Sequence, residues 1–300
     1  MGTDLYAVSY DKLVLAPGIE FLPPPGNYDA DLTPHAWRAG PQTLLLKNQL
    51  SAMASRQTFV LTIPRVPYRC PPGPYERACS VADFLKRKRP GARMVVLDAN
   101  PGIQAEPVNF GKAFSERYKG VLTYVPNAVV LSVDSTARSV KTTAGTFTGA
   151  VLNLIPDQRA GQIVTDTGLV NDPTGRWALV HPLSYASTLH PDIHILGDSQ
   201  GTGQPKSGHM ANAQAKVCAD AIIRSFNGEP PDPNPVTSSA CFSPITSSIA
   251  SWLTASFRYD PATASMKRVD PSFAEAPKPT SDGMQQMYQW ADNIFADSFG

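Results

Sequence analysis

Several features are scarce in this sequence, and each scarcity excludes something. No apolar run approaches the roughly 20 residues that a bilayer-spanning helix needs. Four cysteines among 300 residues are too few for a disulfide scaffold, and no CxxC pair offers zinc two thiolates. The formal net charge is only +1. With its basic residues scattered, the chain makes no case for a nucleic-acid partner. The one basic run, Lys86–Arg89, closes a predicted helix, where it faces the negative end of the dipole. GxGxxG, GxSxG and HExxH are all absent. The opening MGTDLYAVSY has neither the basic nor the apolar region of a leader.

Proline, by contrast, is abundant at 29 residues. Three of these prolines fall in RCPPGPYE, between a strand-like TFVLTIP and a strand-like RMVVLDAN. Strand, tight loop, helix, strand is the frame of a nucleotide-binding unit. A dinucleotide loop uses glycine so that the backbone can approach a pyrophosphate. Here Pro71, Pro72 and Pro74 remove amide donors and fill the space. Asp98 stands where a ribose-binding acid would lie, but has no phosphate loop to serve. The frame is therefore expected to bind no NAD. Its loop presents Cys70 at the positive end of a helix, which favours a thiolate.

In that helix Tyr75, Ala78, Val81, Ala82 and Leu85 share one face at helical spacing. Pro34–Met53 reads as a loop entering a helix whose apolar side is Leu44, Leu45, Leu50 and Met53. The runs VLTYVP, AVVLSVD, SVKTTAG and TFTGAVLNLIP predict a small antiparallel meander returning to a buried strand. IHILGDS is a further buried strand, with helix AQAKVCADAIIRSF after it. The repeated alternation implies an α/β protein with parallel sheets. From Gly228 onward the chain is rich in proline and serine until a helical MQQMYQWADNIF.

Cys79, beside the apolar helix face, and Cys218, inside an alanine-rich helix, read as structural. Cys70 and Cys241 lie in proline- or serine-rich loops. His190 and His194 have metal-ligand spacing only if helical, and Pro191 with the β-like IHIL argues for a strand, so no metal site is expected. GTGQPKSG follows a strand as a phosphate loop does, but Pro205 precedes Lys206-Ser207 where glycine is needed.

ILGDS and YDKLVLAPG carry more. A strand ending in Gly197-Asp198, followed by a helix, recurs in flavoproteins with two dinucleotide domains. There the aspartate meets a ribityl hydroxyl, and the helix start (here Lys206, Ser207 and Gly208) stabilises charge on the flavin. Ala16-Pro17-Gly18 matches the end of a second such strand. Together with YRCPPGPYERAC, LNLIPDQRAG, SSACFSPI and YQWADNIFADSFG, these segments make the chain resemble the flavoprotein subunit of flavocytochrome c sulfide dehydrogenase.

That resemblance implies a two-dinucleotide-binding-domain fold with an incomplete first domain. Residues 1–55 and 161–226 would form the FAD-binding domain and 56–160 the second nucleotide-binding-like domain. Residues 227–300 would form a C-terminal interface domain. It also implies a redox-active disulfide between Cys70 and Cys241, beside FAD. Hydrosulfide would open the disulfide to a persulfide, and the freed thiolate would pass two electrons to the flavin. A c-type cytochrome subunit would take the electrons, leaving zero-valent sulfur or polysulfide, in the periplasm. Glu76 is the candidate proton acceptor, and Trp290 would pack near the flavin.

The departure from the family pattern lies at the start. No glycine-rich loop and no flavin-linking cysteine precedes YDKLVLAPG, so roughly the first hundred residues of such a protein have no counterpart. Residues 1–300 alone are expected to hold FAD poorly. The alternatives are a sulfide:quinone oxidoreductase, which would call for a basic membrane-seeking C-terminus, and a non-catalytic remnant that docks a cytochrome. An NADH-dependent disulfide reductase is disfavoured by the proline-filled loop.

Overall fold

The computed structural model describes residues 7–300, so the opening hexapeptide of the leader reading lies outside it. Strands β1 (Leu13–Leu15), β2 (Ile19–Phe21) and β3 (Gly26–Asn27) precede α1 (Pro41–Ala52). Next come β4 (Thr58–Ile63), α2 (Gly73–Lys88), β5 (Arg93–Asp98) and α3 (Pro107–Lys112). Helix α3 runs into a π-helical turn, Ala113–Arg117, before β6 (Leu122–Val125). Then follow β7 (Val130–Asp134), β8 (Ser139–Thr142), β9 (Gly145–Thr148), β10 (Val151–Leu154), β11 (Gln158–Ala160) and α4 (Gln162–Asp166). The remainder is β12 (Ile193–Ile195), α5 (Gly208–Phe226), β13 (Val236–Pro244), β14 (Ala250–Asp260), β15 (Ser265–Arg268), β16 (Ala274–Glu275) and α6 (Ser281–Phe299).

The central body is a parallel sheet in the order β10-β4-β5-β6. Both of its faces are buried, which is why β4 reads as a continuous apolar run. Phe59, Leu61 and Ile63 pack with the predicted face of α2, from Tyr75 to Leu85. Val60 turns the other way, with Leu152 and Leu154, against Val133 and Val140 of the meander. The basic run does close α2, whose last turn holds Lys86, Arg87 and Lys88.

Three local readings need correction. VLTYVP is no part of the meander: β6 pairs parallel with β5, and only β7, β8 and β9 form the antiparallel set. Its alternation looked antiparallel because one face lies at the edge of the sheet and is partly wet. In α1 the buried residue is Leu46, whereas Leu44 is 61% exposed. The proline- and serine-rich tail is chiefly a sheet. Strand β13 pairs antiparallel with the long β14 over nine registered residue pairs, so Cys241, opposite Leu253, sits on a strand and not in a loop.

Strand β1 pairs parallel with β12, in register Leu15 to Ile195. This pairing joins two turns nearly 180 residues apart in sequence, at Ala16-Pro17-Gly18 and Gly197-Asp198-Ser199. Ser199 Oγ donates to the Gly18 carbonyl at 2.5 Å. Gly161 N donates to both Ser199 Oγ and the Gly18 carbonyl. A Cβ on Gly161 would stand 2.7 Å from the Pro17 ring, so glycine is required where this strand end meets the turn.

Candidate active site

The loop after β4 is built to present Cys70. Cys70 has φ 58°, a left-handed conformation uncommon for a residue with a side chain. Its N–H donates 2.7 Å to the Lys206 carbonyl, tying the loop to the segment before α5, and its carbonyl accepts from Gly73 N at 2.9 Å. The Pro72 carbonyl then accepts from Tyr75 N and Glu76 N. With Pro74 lacking an N–H, the start of α2 keeps no amide from Gly73 to Glu76 for a phosphate. Asp98 is equally occupied. One oxygen accepts from Tyr75 and Tyr124 hydroxyls at 2.8 and 2.7 Å, the other from Asn100 N and Nδ2.

The inward face of β13 carries a row of small polar groups at alternate positions. Thr237 Oγ1 accepts from Gln204 Nε2 at 2.6 Å. Ser239 Oγ lies 3.1 Å from Ser207 Oγ, and Ser243 Oγ donates 2.6 Å to Glu106 Oε1. Cys241 stands between Ser239 and Ser243 in this row. Ser207 also caps α5, accepting from Met210 N. His209 Nδ1 accepts from Ala240 N at 3.0 Å and from Trp290 Nε1 at 3.2 Å. Two donors on one nitrogen fix the proton of a neutral ring on Nε2. Trp290 packs on Phe242 with ring centroids 5.7 Å apart. Cys70, the start of α5, β13 and α6 thus converge.

Two openings meet these thiols. A cavity of about 540 Å³ is lined by Cys241, Ser239 and Lys206 and walled by Tyr68, Phe257 and Phe273. A cleft of about 500 Å³ is lined by Cys70, Glu76, Arg69, Arg77 and Trp37. Both cysteines are free thiols and half-buried. The sequence expectation of a lowered Cys70 pKa is overturned. Burial pushes that thiol far up, with Glu76 and Cys241 acting in the same sense, and Gly73 N–H and Arg69 pull against it too weakly. Burial, then Glu106, push Cys241 up to about 11, against the Ser239 hydroxyl. Glu76 is pushed up to about 7, mainly by burial, so it can exchange a proton near neutrality.

A flavin has a matching cradle on one side. Asp198 is buried with Oδ1 lacking any partner. Burial raises its pKa, although Arg69 and Lys206 pull it down. An acceptor left open in this way suits a ligand hydroxyl. Gly197 adopts φ 66° with Ala211 Cβ close by, which keeps the turn tight against α5. At Gly208 an added Cβ would meet nothing within 4 Å, leaving the start of α5 open. Lys206 turns inward: Nζ donates to the Asp198 and Gln200 carbonyls at 2.8 and 2.7 Å, 3.6 Å from the Trp177 ring centroid. Burial lowers its pKa to about 7. These residues fit the ribityl and ring portion of FAD.

Residues 43–156 match the family model described as "Sulfide dehydrogenase [flavocytochrome c] flavoprotein chain, central". Over these residues the resemblance read from the sequence is borne out. Among solved structures the fold is similar to the sulfide:quinone oxidoreductase of the hyperthermophilic bacterium Aquifex aeolicus. That match has a TM-score of 0.73 at 16% identity, covering 97% of this chain and 70% of the other. An NAD-dependent persulfide reductase from A. fulgidus matches with TM-score 0.54 at 13% identity, over 97% and 58%. The reduced CoADR-RHD of Bacillus anthracis matches with TM-score 0.52 at 15% identity, over 97% and 56%. The chain spans less than three fifths of the latter two. At such identities the likeness establishes the fold alone, in agreement with the α/β reading.

The convergence includes residues that the sequence did not single out. Glu106 and His209 carry no local pattern, and Arg77 lay unremarked on the first turn of α2. Cys79 and Cys218 are core residues, at 0% and 1% exposure. His194 lies on strand β12 with Nδ1 2.9 Å from the Ser184 carbonyl, and among the described residues no His/Cys/Asp/Glu cluster suits a metal.

Proposed function

We propose that this chain is the thiol-bearing part of a flavin-dependent sulfide dehydrogenase, with Cys70 and Cys241 as its redox pair. The observation that carries the reading is the tie between the two thiol-bearing segments. The Cys70 N–H bonds the Lys206 carbonyl, while the next residue, Ser207, meets Ser239 on the same face of β13 as Cys241. In the oxidised protein the two sulfurs form a disulfide. Hydrosulfide entering the cavity attacks Cys241, the sulfur on that side. A new S–S bond forms as Cys241 persulfide, and Cys70 leaves as a thiolate beside the start of α2. The sulfide sulfur is oxidised and the cysteine sulfur reduced, so the exchange balances. The proton that hydrosulfide brought stays on the new persulfide, and Glu76, which acts on both sulfurs, takes it as the persulfide ionises.

Asp198, with Gly197, Lys206, Ser207 and Gly208, would hold the ribityl and ring part of FAD. Ala16-Pro17-Gly18 would support them and Trp290 would border them. When bound, FAD supplies an acceptor for an electron pair and a donor of single electrons. The subunit receiving those electrons is a c-type cytochrome, which would place the complex in the periplasm. Residues 1–55 and 161–226 serve the cofactor, 56–160 present Cys70, and 227–300 present Cys241 and the partner surface. Among the described residues no helix is long and apolar enough to cross a membrane.

A quinone acceptor is the second reading, favoured by the aromatic wall of Tyr68, Phe257 and Phe273 on the cavity. The test supplies FAD and anaerobic sulfide to the purified chain and offers a c-type cytochrome or a soluble quinone. Cytochrome reduction that disappears in Cys70→Ser and in Cys241→Ser is the expected result. Reduction of quinone alone would transfer the chain to the second reading, and turnover surviving both substitutions would end the thiol mechanism.

A further inference from the structure

Glu106 is an anomaly in this molecule. It is a carboxylate at 0% exposure, in a left-handed backbone conformation of φ 49°, at the residue preceding α3. Its Oε1 accepts from Ser243 Oγ, while its Oε2 is buried with no well-formed hydrogen bond, although the Ser251 hydroxyl lies near enough to favour the ionised carboxyl. A residue kept only for stability would not combine a strained backbone with an unpaired buried acceptor. Ser243 lies two residues from Cys241, and alternate residues of a strand point to the same face. The Glu106 carboxyl therefore stands beside the row of hydroxyls and one thiol on β13, and Gln104 and Ala105, just before it, line the same cavity as Cys241.

We propose that Glu106 is a positioning residue of the thiol site, one whose carboxylate charge governs ionisation at Cys241 and leaves Cys70 to other groups. The proposal rests on the reading of Cys241 as a redox thiol.

The groups facing Glu106 come from several elements. Glu76 and Cys79 approach from α2, and Cys241 with the Ser243 hydroxyl from β13. The Ser251 hydroxyl lies on β14 and Glu275 on β16, the latter accepting from Asn109 N at 2.7 Å. Burial raises Glu106 to about 7, the Ser243 and Ser251 hydroxyls oppose this, and Glu275 adds to it. Ionised Glu106 opposes a second negative charge at Cys241, and protonated Glu106 does not. The charges that chiefly oppose ionisation of Cys70 are those of Glu76 and Cys241. The two thiols are thereby made unequal.

The test is alkylation of the fully reduced 300-residue chain by iodoacetamide across a pH series, read separately at Cys70 and Cys241 by peptide mass spectrometry. Glu106→Gln is expected to move the Cys241 profile down by about half to one pH unit. That corresponds to roughly three- to tenfold faster alkylation on the rising limb, with the Cys70 profile unmoved. Ser243→Ala keeps the carboxyl but removes a hydroxyl that favours its ionised form, so Cys241 should quicken near neutral pH in this variant too. It decides the matter alone if Glu106→Gln does not fold. A Cys241 profile unchanged in the folded variants, or Cys70 and Cys241 quickened alike as in general loosening, overturns the proposal. A separate unreduced digest shows whether Cys70 and Cys241 can be linked. Failure there would strike the redox reading and leave the Glu106 result standing.

Discussion

Asp198 keeps Oδ1 buried without a partner, while its own backbone carbonyl takes the Lys206 ammonium. In the flavin-free chain this is an uncompensated cost, because burying a charged acceptor that makes no hydrogen bond is unfavourable. Desolvation raises the Asp198 pKa above that of the unfolded chain, so the penalty is absent below the ordinary carboxylate range and grows as pH rises through it. Asp198→Asn removes the charge. Thermal or urea unfolding of the flavin-free protein should show this variant more stable at neutral pH by on the order of 1 kcal/mol. The gain should vanish on acidification below about pH 4. If Asp198 accepts from a ribityl hydroxyl as proposed, the same variant should hold FAD less tightly. A variant less stable than the parent at neutral pH would mean that Asp198 is satisfied within the chain.

At the scale of elements, the position of the Cys70 sulfur is set by how closely α2 starts beneath it. A Cβ on Gly73 would stand 2.9 Å from Cys70 Sγ and 2.8 Å from Trp37 Cη2. Gly73→Ala forces one of them aside while leaving the helix intact, because alanine is itself a good helix former. The expected result is a far-ultraviolet spectrum like the parent's, a stability cost of about 1–3 kcal/mol, and slower disulfide formation under mild oxidant. Unchanged oxidation kinetics would show that Sγ has slack. The same scale explains what the sequence could and could not reveal. Helix α2 was legible because five apolar residues repeat at helical spacing on a face that does meet the sheet. The turn after β12 was legible through Gly-Asp. Strand β13 was not, because Thr237, Ser239, Cys241 and Ser243 occupy its inward positions. A buried face made of hydroxyls and a thiol has no hydrophobic alternation to read. Glu106 was hidden for a related reason: its role arises from a partner 137 positions away.

For the molecule as a whole, three separately built parts deliver one site. The sheet around β4 supplies the Cys70 loop, the β1–β12 pair and α5 supply the turn at Asp198, and the C-terminal sheet with α6 supplies Cys241 and Trp290. Hydrogen bonds from Cys70 N to Lys206, Ser207 to Ser239, His209 to Ala240 and Trp290 to His209 lock them together. The most direct test of the proposed thiol chemistry is to digest the unreduced chain before and after anaerobic sulfide and map the sulfur by mass spectrometry. The account predicts a Cys70–Cys241 linked peptide pair that sulfide converts into a free Cys70 peptide and a Cys241 peptide heavier by one sulfur atom. Two cysteines that stay unlinked under oxidant, or a linked pair that sulfide leaves untouched, would contradict it.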